Sequence, residues 1–185
     1  QGAKTFRSST DNVNLFLKSG KQVVACLAPS FPSEFHEVDD YKQLIGMIKR
    51  LGFSHVLDVS FGADMVAREI VKDKKRNNTD ITISSDCPAI VNYIELYHPA
   101  LVDKLAPVAS PMVATARIAR KQFGEDARVV FIGPCIAKKD ESAEIDDAIT
   151  FKELRMMFRE QGIVPTPDFV SGFDPPVGGK GALFP

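Results

Sequence analysis

The run Gln22-Val23-Val24-Ala25-Cys26-Leu27-Ala28, stopped by Pro29-Ser30-Phe31-Pro32, constrains the fold more than any other stretch of this chain. Its apolar residues follow one another without the polar alternation of a half-exposed strand. Both faces must therefore be covered, which suits a central strand of a parallel sheet. A helical pattern from Tyr41 to Leu51 comes next, with Leu44, Ile45, Ile48 and Leu51 on one face and Gly52 closing it. A second strand, His55 to Val59, a helix from about Gly62 to Lys75, and a third short strand, Ile81 to Ile83, continue the alternation. That order predicts an α/β class with parallel sheets flanked by helices, whose ligand cleft lies beyond the carboxyl ends of the strands. Pro29-Ser30 and Asp86-Cys87 both fall at such ends.

Ser9, Thr10 and Asp11 start a short helix, Asn12 to Lys18. Pro88 opens a helix carrying Ile90, Val91, Ile94 and Tyr97 on one face, which is expected to pack firmly and hold Cys87 at its amino end. Leu101 to Leu105 reads as a short helical turn. Ser110-Pro111 starts a helix to about Phe123, and Arg128 to Ile132 forms a fourth strand ending at Gly133-Pro134-Cys135. Thr150 caps a helix, Phe151 to Gln161, with Leu154, Met157 and Phe158 inward. Lys72 to Asn78 reads as a solvated exit loop, and Asp39-Asp40 and Asp146-Asp147 as helix starts or surface loops. The Gly- and Pro-rich tail, Asp174 to Pro185, is either a linker or a ligand loop cut off early. Gly178-Gly179-Lys180-Gly181 lacks the preceding strand and the spacing of a phosphate loop.

Composition narrows the function. The 23 Lys and Arg against 24 Asp and Glu leave a net charge of -1, and no basic run marks a nucleic-acid surface. No apolar stretch approaches the ~20 residues that span a bilayer, and the first residues lack the order of a signal peptide, so a cytoplasmic protein is expected. Cys26, Cys87 and Cys135 are odd in number and far apart, which disfavours a disulfide framework and favours free or metal-bound thiols.

Cys87 at a helix amino end stands where amide donors and the helix dipole favour a thiolate; its other reading is a small buried residue. Cys135 shares the setting, just beyond a strand with a proline beside it. Two thiolates do not complete a zinc site or an iron–sulfur cluster, each of which normally takes four ligands. The rest must come from missing sequence, another chain or non-cysteine residues. Lys138 and Lys139 would offset the charge of an anionic cluster, or form a solvated pair beside Asp140-Glu141. Cys26 belongs to the core, and His36, His55 and His98 show no ligand spacing.

Taken together, Ser85-Asp86-Cys87-Pro88 with Val91-Asn92-Tyr93, Tyr97-His98-Pro99, Ser110-Pro111 and Gly133-Pro134-Cys135-Ile136-Ala137-Lys138-Lys139 resemble the catalytic domain of iron-only hydrogenases. Ala28-Pro29-Ser30, Leu51-Gly52-Phe53 and Phe61-Gly62-Ala63-Asp64 agree, so the resemblance runs from about Val23 to Pro185. It implies a two-lobed domain, present here without its carboxyl-terminal part, in which a 4Fe-4S cluster on four cysteines is joined to a two-iron centre. By that resemblance Cys87 and Cys135 match two cluster ligands. Lys138 matches the lysine bonded to a cyanide, and Pro29 and Ser30 the backbone near the other cyanide. Glu141 matches a carboxylate of the proton route, and Glu69 is aligned with another.

The departures carry information too. Asp86 stands where catalytic members place a proton-relaying thiol, Gly133 replaces a methionine and Met112 a glutamine. Such changes resemble divergent members that sense hydrogen or redox state inside larger signalling proteins. The last two cluster cysteines would lie beyond Pro185. On this reading residues 1–20 are a linker or the exit from an upstream ferredoxin-like electron-transfer module, 21–185 are a partial hydrogenase-like domain, and a sensory or signalling domain follows. The fragment itself is expected to be inactive and free of cluster. The alternatives are an iron–sulfur assembly or carrier protein of the same superfamily, and a degenerate domain that binds nothing.

Overall fold

A computed structural model describes residues 6–77 and 81–179. One four-stranded sheet, all parallel, is ordered β2-β1-β3-β4, with β1 Val23–Leu27, β2 His55–Asp58, β3 Arg128–Gly133 and β4 Asp147–Thr150. Every residue of β1 is buried, because β2 and β3 flank it and helices cover both faces. Cys26 sits opposite Leu57 and Phe131 in that register, as a core residue. Burial pushes its thiol up to about 12, so it stays protonated and inert.

Six α-helices complete the described fold: α1 Thr10–Lys18, α2 Tyr41–Arg50, α3 Val59–Asn77, α4 Pro88–Tyr97, α5 Pro111–Phe123 and α6 Phe151–Glu160. Asp40 caps α2 through the Lys42 amide at 2.8 Å, and the Ser110 hydroxyl accepts from Val113 N at the start of α5. Thr150 and Glu153 close a full capping box on α6. Thr150→Ala should cost about 1 kcal/mol in a urea titration, since the Glu153 half of the box survives; a loss above twice that would mean the hydroxyl does more than cap.

Four expectations change. Ile81 to Ile83 is not a strand of the sheet: Ile83 makes a single parallel bridge to Leu105, giving its amide to Lys104 O at 2.7 Å and accepting from Ala106 N at 2.8 Å. Ile81 is 65% exposed, so this short run never reached the core that would make it a strand. Cys87 therefore follows a bridged loop and not a sheet strand. The apolar face of α4 is also not packed as expected. Ile94 is buried, yet Ile90, Tyr93, Leu96 and Tyr97 are all exposed. Lys72 to Asn77 extend α3 as exposed helical turns instead of leaving it as a loop. Finally, Asp147 opens β4 against Val130. Asp146 next to it is a half-buried anchor for Arg120 at 2.8 Å, Arg128 at 2.5 Å and the Val129 amide at 2.8 Å. The expected elements that fall on residues 1–5, 78–80 and 180–185 lie outside the described residues.

Residues 164–179 lack regular structure but cross the outer edge of β2. Asp174 gives its amide to Val56 O at 2.9 Å, and its carboxylate takes Val56 N at 2.9 Å and Lys49 at 3.0 Å. An otherwise open sheet edge is thereby paired. No helix of the described residues is long and apolar enough to cross a membrane.

Candidate functional site

The carboxyl ends of β1 and β3 open side by side. Ala28 N donates to Ile132 O at 2.8 Å, which keeps Pro29-Ser30 next to Gly133-Pro134-Cys135 just past the last ladder bonds. The first turns of α3 and α5 supply Val59, Ala63, Pro111 and Met112, and the loop before α4 supplies Asp86 and Cys87. A cleft of about 540 Å³ results, lined also by Ala28, Ser33, Phe131 and Lys138. Pro29, Ser30, Asp86, Cys87, Cys135 and Lys138, all singled out from the sequence, thus face one space.

Glu141 stands behind that space and not in its wall. Its Oε2 accepts from the Lys138 ammonium, and its Oε1 accepts from the Ser110 hydroxyl. Lys138 also donates to Asp86 O at 2.6 Å, so one ammonium pins the peptide that carries Cys87. A lysine has three N–H groups, and only these two acceptors meet them among the described residues. Ser110, read from sequence as a helix start and within the Ser110-Pro111 motif of the family resemblance but given no role at the site, is the residue that holds Glu141. Glu69 goes elsewhere. It pairs with Lys72 at 2.6 Å on the exposed side of α3 and does not line the cleft.

Both thiols are free and partly exposed. Cys87 is the cap residue of α4 but makes no side-chain capping bond, so its sulfur is not consumed by the helix. Cys135 precedes the 3-10 turn Ile136–Asp140 in the same way. Asp86 Oδ2 accepts from Ser84 Oγ at 2.7 Å, while Oδ1 is buried with no partner among the described residues. A buried carboxylate oxygen without a donor is costly and calls for a ligand, a proton or a cation. A side chain at Gly133 would meet the Phe131 ring at 2.6 Å and Ala28 Cβ at 3.0 Å. Phe131, itself a wall of the cleft, fills the place where that side chain would begin.

Two soft thiols, an ammonium with donor capacity to spare and an orphaned carboxylate oxygen are a donor set of the right kind for iron and sulfide. They do not make a complete one. Among the described residues no group of three or more His, Cys, Asp or Glu could hold a metal ion, whereas a four-iron cluster takes about four thiolates. These residues fit half of such a site.

The fold and the site together define a parallel α/β domain with a two-thiol cleft at the carboxyl ends of its strands. Residues 21–183 match the family described as iron only hydrogenase large subunit, C-terminal domain, and the chain belongs to that family. Iron hydrogenase 1 of Clostridium pasteurianum is 29% identical over 89% of this chain, which covers 34% of that relative's length. The cytosolic Fe-S cluster assembly factor NAR1 of Debaryomyces hansenii is 29% identical over 83% of this chain, or 32% of its own length. The solved structure of the FeFe-hydrogenase HydA(deltaEFG), a study of stepwise H-cluster assembly, superposes with a TM-score of 0.78 at 25% identity. It covers 94% of this chain and 52% of that one. The chain thus spans between a third and about half of the length of these relatives.

Proposed function

We propose that the intact protein holds an iron–sulfur cluster through Cys87 and Cys135, completed by thiolates from outside the described residues, and uses it as a hydrogen or redox sensor or as a slow hydrogenase. The observation that carries this reading is the convergence of Cys87 and Cys135, from two separate loops, on one cleft whose wall also holds Lys138. When bound, such a cluster supplies one-electron chemistry. Lys138 balances thiolate charge and fixes the Cys87 loop through Asp86 O. As an enzyme the protein would interconvert molecular hydrogen with two protons and two electrons, exchanging electrons with a ferredoxin-like module. A signalling domain downstream would read the cluster's state.

Asp86 favours sensing or slow turnover. By family resemblance its position belongs to a proton-relaying thiol, and a carboxylate differs from a thiol in reach and in ordinary acidity. Its Oδ1 has no partner among the described residues.

Cys87→Ser in the intact protein should abolish the cluster's visible absorbance and lower bound iron from about four per chain toward zero. Unchanged iron and absorbance would sink the proposal. Hydrogen uptake by wild type should be slow and should rise in Asp86→Cys; a wild type as fast as a dedicated hydrogenase would exclude the sensing role. A second reading, a cluster assembly or carrier protein located in the cytoplasm, is supported by the NAR1 relatives, of which that of Debaryomyces hansenii is 29% identical over 83% of this chain, against 29% over 89% for Iron hydrogenase 1. Stable cluster transfer to an acceptor protein, with no hydrogen uptake in either variant, would select it.

A further inference from the structure

Helix α6 contributes no residue to the cleft, yet two of its side chains reach both walls from behind. Glu153, 2% exposed, pairs at 3.0 Å with Lys139, which follows the cleft residue Lys138 in the 3-10 turn Ile136–Asp140. The sequence allowed Lys139 to be a solvated residue. In the structure its side chain is 10% exposed, and all three ammonium protons have acceptors: Glu153 Oε1, Ala148 O at 2.8 Å and Ser9 Oγ at 2.9 Å. Glu153 is equally committed. Oε1 takes Ser9 N at 2.8 Å and Ser8 Oγ at 3.2 Å besides Lys139, and Oε2 takes Thr150 N at 2.7 Å and Thr150 Oγ1 at 2.8 Å.

Arg155, two residues on, serves the opposite wall. Its Nε donates to Glu34 Oε1 at 2.8 Å, Nη2 donates to Glu34 O, and Nη1 donates to Glu37 Oε1 at 2.5 Å. Its guanidinium lies 4.5 Å over the Phe35 ring. Glu34 and Phe35 end the 3-10 turn that begins after Ser30, so the Pro29–Ser33 wall is tied to α6 through the polar contacts of this side chain, beside the ring packing of Phe35 on Phe151 and Phe158.

We propose that α6 is the brace of the cleft. Glu153, acting through Lys139, is the positioning residue for the Cys135–Lys138 wall, and Arg155 is the positioning residue for the Pro29–Ser33 wall. Lys139 needs Ser9 as its third acceptor, so the Cys135 wall is set correctly only when the segment leading into α1 is docked. Placement of that segment is thereby coupled to the thiol. The value of the brace to a cluster rests on the function proposed above; the brace itself does not, and its test uses the chain without any cluster.

The three cysteines make the test internal. Native alkylation by iodoacetamide, followed at each cysteine by mass spectrometry, reads the cleft at Cys135 and Cys87 and reads global opening at buried Cys26. Lys139→Met, which also strands the Glu153 carboxylate and so lowers global stability, should raise the Cys135 rate about tenfold beyond any rise at Cys87 and Cys26, and that excess should be largely reversed in Lys139→Arg. Ser9→Ala, which spares the fold if Lys139→Met does not, should raise Cys135 alone by about threefold. Arg155→Ala should speed amide exchange at Ser33, Glu34 and Phe35 about tenfold and leave Cys135 unchanged. An unchanged Cys135 rate in both the Lys139→Met and Ser9→Ala chains, or a rise at Cys135 no greater than that at Cys26 and Cys87, would overturn the brace. So would unchanged exchange at residues 33–35. Iron binding in the intact protein is a separate result and decides only the cluster.

Discussion

Glu153→Ala should destabilise the chain by about 3–5 kcal/mol, measured by urea denaturation near pH 7, because it strands a buried ammonium. Removing one partner of a compensated pair costs more than removing both. In the native protein the Lys139 and Glu153 charges are mutually compensated, and every remaining hydrogen-bonding position of both groups is used. Removing the carboxylate leaves Lys139 with two neutral acceptors and orphans the Thr150 and Ser9 amides that it satisfied. Replacing both partners avoids the stranded charge. Glu153→Leu with Lys139→Met should therefore recover about half of the loss, the residue being the unsatisfied amides and the Ala148 carbonyl. A single-variant loss below about 1 kcal/mol would mean that water reaches Lys139 and the pair is a surface one.

The same site sets an acid limit. Burial pushes the Glu153 carboxyl up, but hydrogen bonds from the Thr150 and Ser9 amides, then from Lys139 and Thr150 side chains, outweigh it and hold the group below its ordinary value of 4.5. Asp174 is held below 3.8 in the same manner, burial being offset by the Val56 amide, His55 and Lys49. A carboxyl depressed in the folded state contributes stability that is complete above its unfolded pKa and is lost as pH falls through the folded one. Wild type should therefore weaken progressively below about pH 5, and the double variant should show a shallower fall.

What the sequence revealed depended on the range of the interactions. The β1 run announced itself because uninterrupted apolar residues leave a buried parallel strand as the natural outcome, and all of Val23–Leu27 are buried. Helix starts at Asp40, Ser110 and Thr150 were legible because caps are local chemistry. Ile81 to Ile83 misled for the complementary reason. Three residues of strand-like composition say nothing about whether a sheet edge is available, and here Leu105 offers only a bridge. The edge strand β4 was hidden behind Asp146 and Asp147, since it pairs with β3 and Asp146 before it is held by Arg120 and Arg128, all far from it in sequence. At the cleft, the thiols and Lys138 could be named from spacing and family resemblance. That Lys139 would be buried against a glutamate fourteen positions away could not.

Gly62→Ala should cost about 2–3 kcal/mol, lowering Tm by roughly 5–10 °C for a chain of this size, although alanine is the better helix former. Gly62 is buried in the first turns of α3, packed directly against the Pro111 backbone at the start of α5. A Cβ there would fall on the Pro111 carbonyl oxygen and the Thr115 hydroxyl, with Pro111 C only 3.2 Å away. Neither obstacle is a free side-chain end. Pro111 O already accepts from Thr115 Oγ1 at 2.8 Å within α5, so relief requires the helices to separate. Helix separation is also a change of site, because Val59 and Ala63 flank Gly62 on α3 while Pro111 and Met112 are their counterparts on α5, and all four line the cleft. Gly20→Ala is the control: its φ of 74° is unfavourable for alanine but nothing lies within 4 Å, so it should cost about 1 kcal/mol from conformation alone. If the two variants lose the same stability, the α3–α5 contact has room to give and the cleft walls are softer than their packing implies. If Gly62→Ala loses more and also raises native alkylation of Cys87 and Cys135 together, beyond the rise at Cys26, then helix spacing sets the width of the cleft that Lys139 and Arg155 brace from the other side.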